Sequence, residues 1–294
     1  MRKILVPTDF SVPAENAAHY ALELAKKLKA DVLLCNAFKV PADAPTATQV
    51  AWPLIGYTEL KQNATSDLDS LVKSLSDPSC SVDEDEYCPD LAYESGVGNV
   101  CELVSSLVKR EKIDLVVMGM AGAGALTQFV LGSNCKEMIE KANVPLLLIP
   151  FNVAFKNIGK IAFTTDLNTQ DLVALQFLIN LALPLNAQIT IVHITNKEVD
   201  PHGGIQRKID AFLNKLISDI KFSSIKYEYV WNIDIDNGLD WIAGQENLDL
   251  IALTHHRRNL LARMFKGSHT QKFSRHTKIP LLVFPPKYLD AVAQ

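Results

Sequence analysis

No apolar run in this chain approaches the roughly 18–20 residues that a membrane-spanning helix needs. The opening Met1-Arg2-Lys3-Ile4-Leu5-Val6-Pro7 has no long apolar core followed by a small-residue cleavage site and enters a strand-like segment at once, so a cytoplasmic protein is expected. Cysteine is scarce. Cys35, Cys80, Cys88, Cys101 and Cys135 make an odd count, all in the first half, with no C-x-x-C pair. That argues against a zinc ribbon or a disulfide framework and predicts free thiols in a reducing compartment. A basic excess is missing too. Residues 1–150 carry 13 Lys and Arg against 20 Asp and Glu, and residues 151–294 carry 16 against 13, scattered along the chain. This balance excludes a nucleic-acid binder, and the run Asp83-Glu84-Asp85-Glu86 reads as a solvated loop. What remains is ordinary globular composition, 48% hydrophobic and 21% charged over 294 residues, enough for one large or two ordinary domains.

The chain repeats itself. Met1–Ser11 (MRKILVPTDFS) returns as Ile158–Asn168 (IGKIAFTTDLN), Ile113–Gly119 (IDLVVMG) as Leu248–Thr254 (LDLIALT), and Ala142–Pro150 (ANVPLLLIP) as Thr277–Pro285 (TKIPLLVFP). Three echoes in one order indicate a duplicated unit of about 145 residues, the size of a domain rather than of a solenoid repeat. Each unit opens with a short apolar run ending in Thr-Asp. A helical pattern follows (Ala14–Lys29; Thr169–Leu183), then a second strand (Asp31–Phe38; Gln188–Ile194). After a connector and a helix, a third strand is expected near Cys88–Glu94 and Ile225–Trp231, with helices at Asn99–Lys112 and Asn237–Glu246 leading to the fourth. A loop, a helix and a Val/Ile-Pro-Leu-Leu strand close the unit. Apolar runs alternating with helical patterns imply parallel sheets covered by helices on both faces. The expectation is an α/β protein of two tandem five-stranded parallel-sheet domains, 1–151 and 156–294. Their closing strands, Leu146–Ile149 and Leu281–Phe284, should meet edge to edge across an approximate twofold axis. The Pro/Ala/Thr-rich stretch Lys39–Tyr57 reads as a loop or lid.

Between Gly119 and Ser133 the first unit reads GMAGAGALTQFVLGS, directly after an apolar strand and before a helical segment. Glycines let a backbone approach a phosphate, and the amides and dipole of a helix N-terminus favour an anion there. In open α/β sheets ligands bind outside the carboxyl ends of the strands, and Asp9, Ala37 and Gly119 all end strands.

Gly119, Gly122, Gly132 and Ser133 fit the pattern G-x2-G-x9-G-[S/T], flanked by Pro7-Thr8-Asp9-Phe10-Ser11 and Val144-Pro145-Leu146-Leu147. On these residues the chain resembles a tandem member of the universal stress protein family, over nearly its whole length. The resemblance implies Rossmann-like domains of the adenine nucleotide alpha hydrolase type, and ATP or a related adenine nucleotide bound in the first half. Asp9 would bond the ribose or the adenine edge, with Pro7 and Thr8 shaping the base pocket and Ala37 against the adenine. Met118 and Gly119 would end their strand beside the ribose, with Gly122 further along toward the phosphates. Gly132, Ser133 and Asn134 would present amides and a hydroxyl to the phosphates. Any accompanying Mg²⁺ would be held by phosphate and water. Three departures stand out: Cys135 where a hydroxyl residue is usual, Met120-Ala121 for a more polar pair, and a small Ala37.

The second half keeps Asp166 and Gly267-Ser268 but has Thr254 and Arg257 at the loop-glycine positions, which crowds the backbone approach and predicts a degenerate pocket. His193, His255 and His269 are the candidates for a metal there, against an expectation of no metal site. Three function classes follow: a nucleotide-binding regulatory or stress-response module, an enzyme such as a slow ATPase, and an interaction or scaffold protein with an unused pocket. The sequence has no G-x4-G-K-[S/T], H-x-G-H or S-G-G-x-D-S, and no Lys or Arg lies between Gly119 and Ser133. The expectation is a binding module without catalytic residues. An unidentified protein partner is expected; the two units in one chain would form a pseudo-twofold pair that echoes the family's homodimers, and a further homodimer is compatible with it.

Overall fold

Lys3–Pro7 (β1), buried from Ile4 onward, starts a regular alternation of strand and helix. The computed structural model describes residues 1–39, 56–76, 87–120, 132–151, 153–195, 204–219, 225–231, 241–242, 244, 247–255 and 279–292. After β1 come α1 (Val12–Leu28), β2 (Asp31–Phe38), α2 (Tyr57–Leu75), β3 (Leu91–Val97), α3 (Val100–Glu111), β4 (Leu115–Met120), α4 (Ser133–Lys141) and β5 (Leu146–Pro150). The second half contributes β6 (Lys160–Thr164), α5 (Thr169–Leu185), β7 (Gln188–Thr195), α6 (Gly204–Asp219), β8 (Ile225–Trp231), β9 (Leu250–Thr254), β10 (Leu281–Phe284) and α7 (Pro286–Val292).

The strands form one sheet in the order β3-β2-β1-β4-β5-β10-β9-β6-β7-β8. Every pairing is parallel except the joint between β5 and β10, where Leu147 faces Leu282 antiparallel. Each half is therefore a parallel sheet of five strands, and the carboxyl ends of the two sets point to opposite edges. One apolar core lies on the face covered by α1, α2, α5 and α6, and a second on the face covered by α3 and α4. The Ala-rich inner face of α1, with Ala14, Ala17, Ala18, Ala21 and Ala25 buried, lets that helix lie close on the sheet.

The duplication is also written in the backbone. Left-handed residues recur at matched positions: Phe10 and Leu167 (φ 59° and 60°), Lys29 and Asn186 (51° and 52°), Lys112 and Asn247 (53° and 61°). The first half holds the linker: Asn16 Nδ2 on α1 donates to the carbonyls of Pro150 (3.4 Å) and Val153 (3.1 Å), and Tyr20 packs edge-on against Phe155.

Some boundaries differ from expectation. β3 begins at Leu91, not Cys88, because Pro89 has no N–H to give and the ladder starts where Val32 N donates to Asp90 O. Most of Lys39–Tyr57 and of Asn237–Glu246 lies outside the described residues. The cysteines need a correction: Cys88 is disulfide-bonded, its partner lying outside the described residues, so the five are not all free thiols. Spacing along the chain reports C-x-x-C pairs and is blind to a bridge made by the fold. Among the described residues no helix is long and apolar enough to cross a membrane.

Cys35, Cys101 and Cys135 are free and buried. Burial, then the nearby Glu94, pushes the Cys35 thiol up to about 12. Burial also takes Cys101 and Cys135 to about 11, assisted by Glu137 at the first and by Cys101 and Asp9 at the second. The reactive thiolate is therefore scarce. At about pH 8 the native protein should resist alkylation by iodoacetamide at all three, whereas denatured protein reacts promptly. Mass spectrometry of peptides checks this, and fast native labelling of Cys135 would contradict the packing described.

Candidate nucleotide crevice

The first half places β1 between β2 and β4. α1 leaves β1 along one face of the sheet, while α3 brings the chain to β4 along the other. The helices that follow β1 and β4 in sequence, α1 and α4, lie on opposite faces of the sheet, which makes the carboxyl ends of these strands the switch point at which such sheets open a crevice.

The turn after β1 is pinned from several sides. Thr8 is buried; its N–H donates to the Cys35 carbonyl (2.8 Å) and its carbonyl accepts from Asn36 Nδ2 (2.9 Å). Thr8 Oγ1 accepts from Phe10 N (3.0 Å), holding Phe10 at a φ that a bulky side chain rarely adopts. This turn holds Asp9 exposed at the start of α1, with Oδ1 accepting from Ser11 N (3.1 Å) and Ser11 Oγ (2.5 Å).

Gly119, one residue before the end of β4, meets the first turn of α1. A Cβ there would overlap the Pro13 carbonyl oxygen and stand 3.0 Å from Ala14 N. Only glycine permits this approach, so the protein's own packing already requires the residue that the loop pattern singles out. α4 opens at Gly132, which supplies no side-chain cap, and its first turn holds no acidic residue. Ser133 and Asn134 are exposed. The amides of that turn have no intrahelical acceptor and carry the positive end of the helix dipole. The Cys135 thiol donates to the Gly119 carbonyl (3.8 Å), joining α4 to β4, and its proton is held mainly by burial, then by Cys101 and Asp9, which places Asp9 in reach of the same strand end. Along 7–11, 117–120 and 132–135 there is no Lys or Arg. The crevice thus offers backbone amides, hydroxyls and one exposed carboxylate, a set suited to ribose hydroxyls and an anion.

The other sequence candidates sit as follows. Pro7 is buried, paired with Cys35 in the ladder, and Ala37 is half-buried opposite Gly96. Met118 is 6% exposed and packs in the core beneath α3 and α4, so only its backbone borders the strand end. A Cβ on Gly132 would meet nothing within 4 Å, so packing among the described residues makes no demand for glycine there. Gly122 lies outside the described residues.

In the second half, His193 Nδ1 bonds the Thr165 carbonyl (2.8 Å), the counterpart of the bond Asn36 makes to Thr8. His255 donates its backbone N–H to Phe284. His269, Arg257, Gly267 and Ser268 lie outside the described residues. Among the described residues no group of three His, Cys, Asp or Glu side chains is arranged for a metal ion. Thr254 stands where β4 has Gly119, and its Oγ1 donates to Asp171 Oδ1 (2.8 Å). Asp171 is completely buried, and Oδ2 accepts from Thr165 Oγ1 (2.6 Å), Asp166 N (3.1 Å) and Asn168 N (3.2 Å). Asn36, Asn16 and Asp171 were missed by sequence reasoning. A lone polar residue inside the buried run of β2 was a signal for the first, and N-x-x-D at a helix start for the last.

The sequence profile of the universal stress protein family matches residues 1–150 and 224–285. The chain is 26% identical to universal stress protein MJ0531 of Methanocaldococcus jannaschii over 148 residues, covering 50% of this chain and 81% of that one. Among solved structures, a universal stress protein from Archaeoglobus fulgidus superposes with a TM-score of 0.61 at 13% identity, covering 96% of this chain and 98% of the other. The cytoplasmic domain of a prokaryotic cation chloride cotransporter superposes at 0.52 and 12% identity, covering 99% of both. At such identities these likenesses speak for the Rossmann-like fold alone. The matched profile spans well over half of the sequence, and the chain belongs to the universal stress protein family.

Proposed function

We propose that this chain is an adenine-nucleotide-binding regulatory module, with its site in the first half. What supports this reading best is the convergence of exposed Asp9, the glycine contact between α1 and β4, and the uncapped N-terminus of α4 at one switch point. Asp9 would accept from ribose hydroxyls or the base edge. The amides opening α4, with the Ser133 hydroxyl, would take the phosphates; Pro7, Thr8 and Ala37 would border the base. Gly122 and the rest of its loop belong to the same proposal. Calorimetric titration of ATP against the purified chain should give one site per chain; two equal sites, or no binding with or without Mg²⁺, would defeat the reading.

Turnover is proposed to be slow. The described crevice has no cationic side chain and no second carboxylate to favour a transition state over bound nucleotide, and holding both equally gives affinity without rate. Phosphate release should fall below about 1 per second, the lower end of ordinary enzyme turnover. Faster release that disappears in a folded Asp9→Asn protein would make Asp9 a catalytic residue and the chain an ATPase. With slow turnover the biological output comes from nucleotide-dependent conformation or partner choice, with each half, 1–151 and 156–294, acting as a unit.

A further inference from the structure

The two halves differ most where they should match. Offsets along the repeat place Asp171 at the position of Ala14 and Thr254 at that of Gly119. In the first half these positions bring the backbone of α1 against β4 and leave no polar side chain between them. In the second half a carboxylate stands there, fully buried, with four donors around it among the described residues: two threonine hydroxyls, from the ends of β6 and β9, and two backbone amides from the turn into α5. A capping box alone would need only Asn168 and Asp171. Here the carboxylate also crosses to β9, 83 positions away in sequence, tying the first turn of α5 to both strands that would border a crevice.

We propose that Asp171 is a built-in anionic ligand of the second half: its carboxylate fills the cradle at the β6/β9 switch point, locks that crevice, and leaves the chain with one ligand-taking half and one fixed half. Because the two sets of carboxyl ends lie on opposite edges of the sheet, the lock does not reach the first crevice.

Chemical rescue tests this. In the full-length Asp171→Ala protein the four donors lose their acceptor, and a small free carboxylate can enter in its place. Thermal unfolding is followed against increasing sodium formate, with sodium chloride at matched ionic strength. The variant should melt below the parent and recover saturably in formate by about 3 °C or more, while the parent gains nothing beyond chloride. A variant that melts with the parent, or that answers formate and chloride alike, overturns the proposal. If the variant does not fold on expression, its refolding yield from urea in formate against chloride decides the same question with the same two outcomes. A parent chain that binds no ATP would defeat the reading of the first half and leave this result untouched.

Discussion

Gly119→Thr, which copies residue 254 into the first half, is expected to raise the Kd for ATP at least about tenfold. It is also expected to lower the unfolding free energy by about 1–3 kcal/mol, the usual effect of forcing atoms into packed space. The new Cβ would meet the Pro13 carbonyl and Ala14 N, which belong to backbone and yield only if the first turn of α1 moves. That turn follows directly from Asp9 and Ser11, so the displacement reaches the exposed carboxylate before the hydroxyl and methyl of threonine add their own bulk. Calorimetry and urea unfolding of one preparation separate the effects. A variant that unfolds earlier yet binds ATP like the parent would move the site away from the β1/β4 switch point. One that unfolds like the parent would show that α1 stands further from β4 than described.

Asp171→Ala should cost about 3–5 kcal/mol, because it leaves several buried donors without an acceptor at about 1–3 kcal/mol each. Two threonine hydroxyls and two backbone amides lose an ionised acceptor in a site without solvent. Thr254→Val, close in volume, removes one of the four donors and leaves the carboxylate with three, so it should cost less, about 1.5–3 kcal/mol. Urea unfolding at neutral pH gives both numbers. The order matters more than either value: equal losses would mean that the Thr254 bond carries the lock alone, and negligible losses would mean that the network is not formed in solution.

The pattern of these residues explains how far sequence reading reached. The strand ends were legible because Thr-Asp after a buried run recurs in both halves, and because the apolar run IDLVVM, closed by glycine in the first half, returns as LDLIAL in the second. Gly119 was singled out as a residue that lets phosphate approach; the structure adds that α1 already leans on it, a contact made across more than a hundred residues. His193 ended a strand and suggested a metal ligand, yet its ring takes the place of the Asn36 amide, a role visible only when β7 is laid beside β6. Asp171 drew no notice in the sequence, since an acid in a first turn is ordinarily accounted for by exposure and a favourable dipole. Its burial depends on Thr254, and nothing near residue 171 in the sequence announces that partner.

By itself, then, the sequence determined the alternation of strand and helix, the duplication and the family, because periodicity, turn chemistry and short motifs act within a few residues of one another. Only the tertiary structure decided that β5 and β10 join antiparallel, since the hydrophobic run Leu-Leu of each closing strand suits either direction of pairing. That one joint sends the two crevices to opposite edges of a single sheet. Tertiary packing also decided which carboxylate faces water and which faces inward: Asp9 is exposed and bonded only locally to Ser11, whereas Asp171 meets two hydroxyls and two amides in the interior, and a buried polar group needs its hydrogen bonds satisfied.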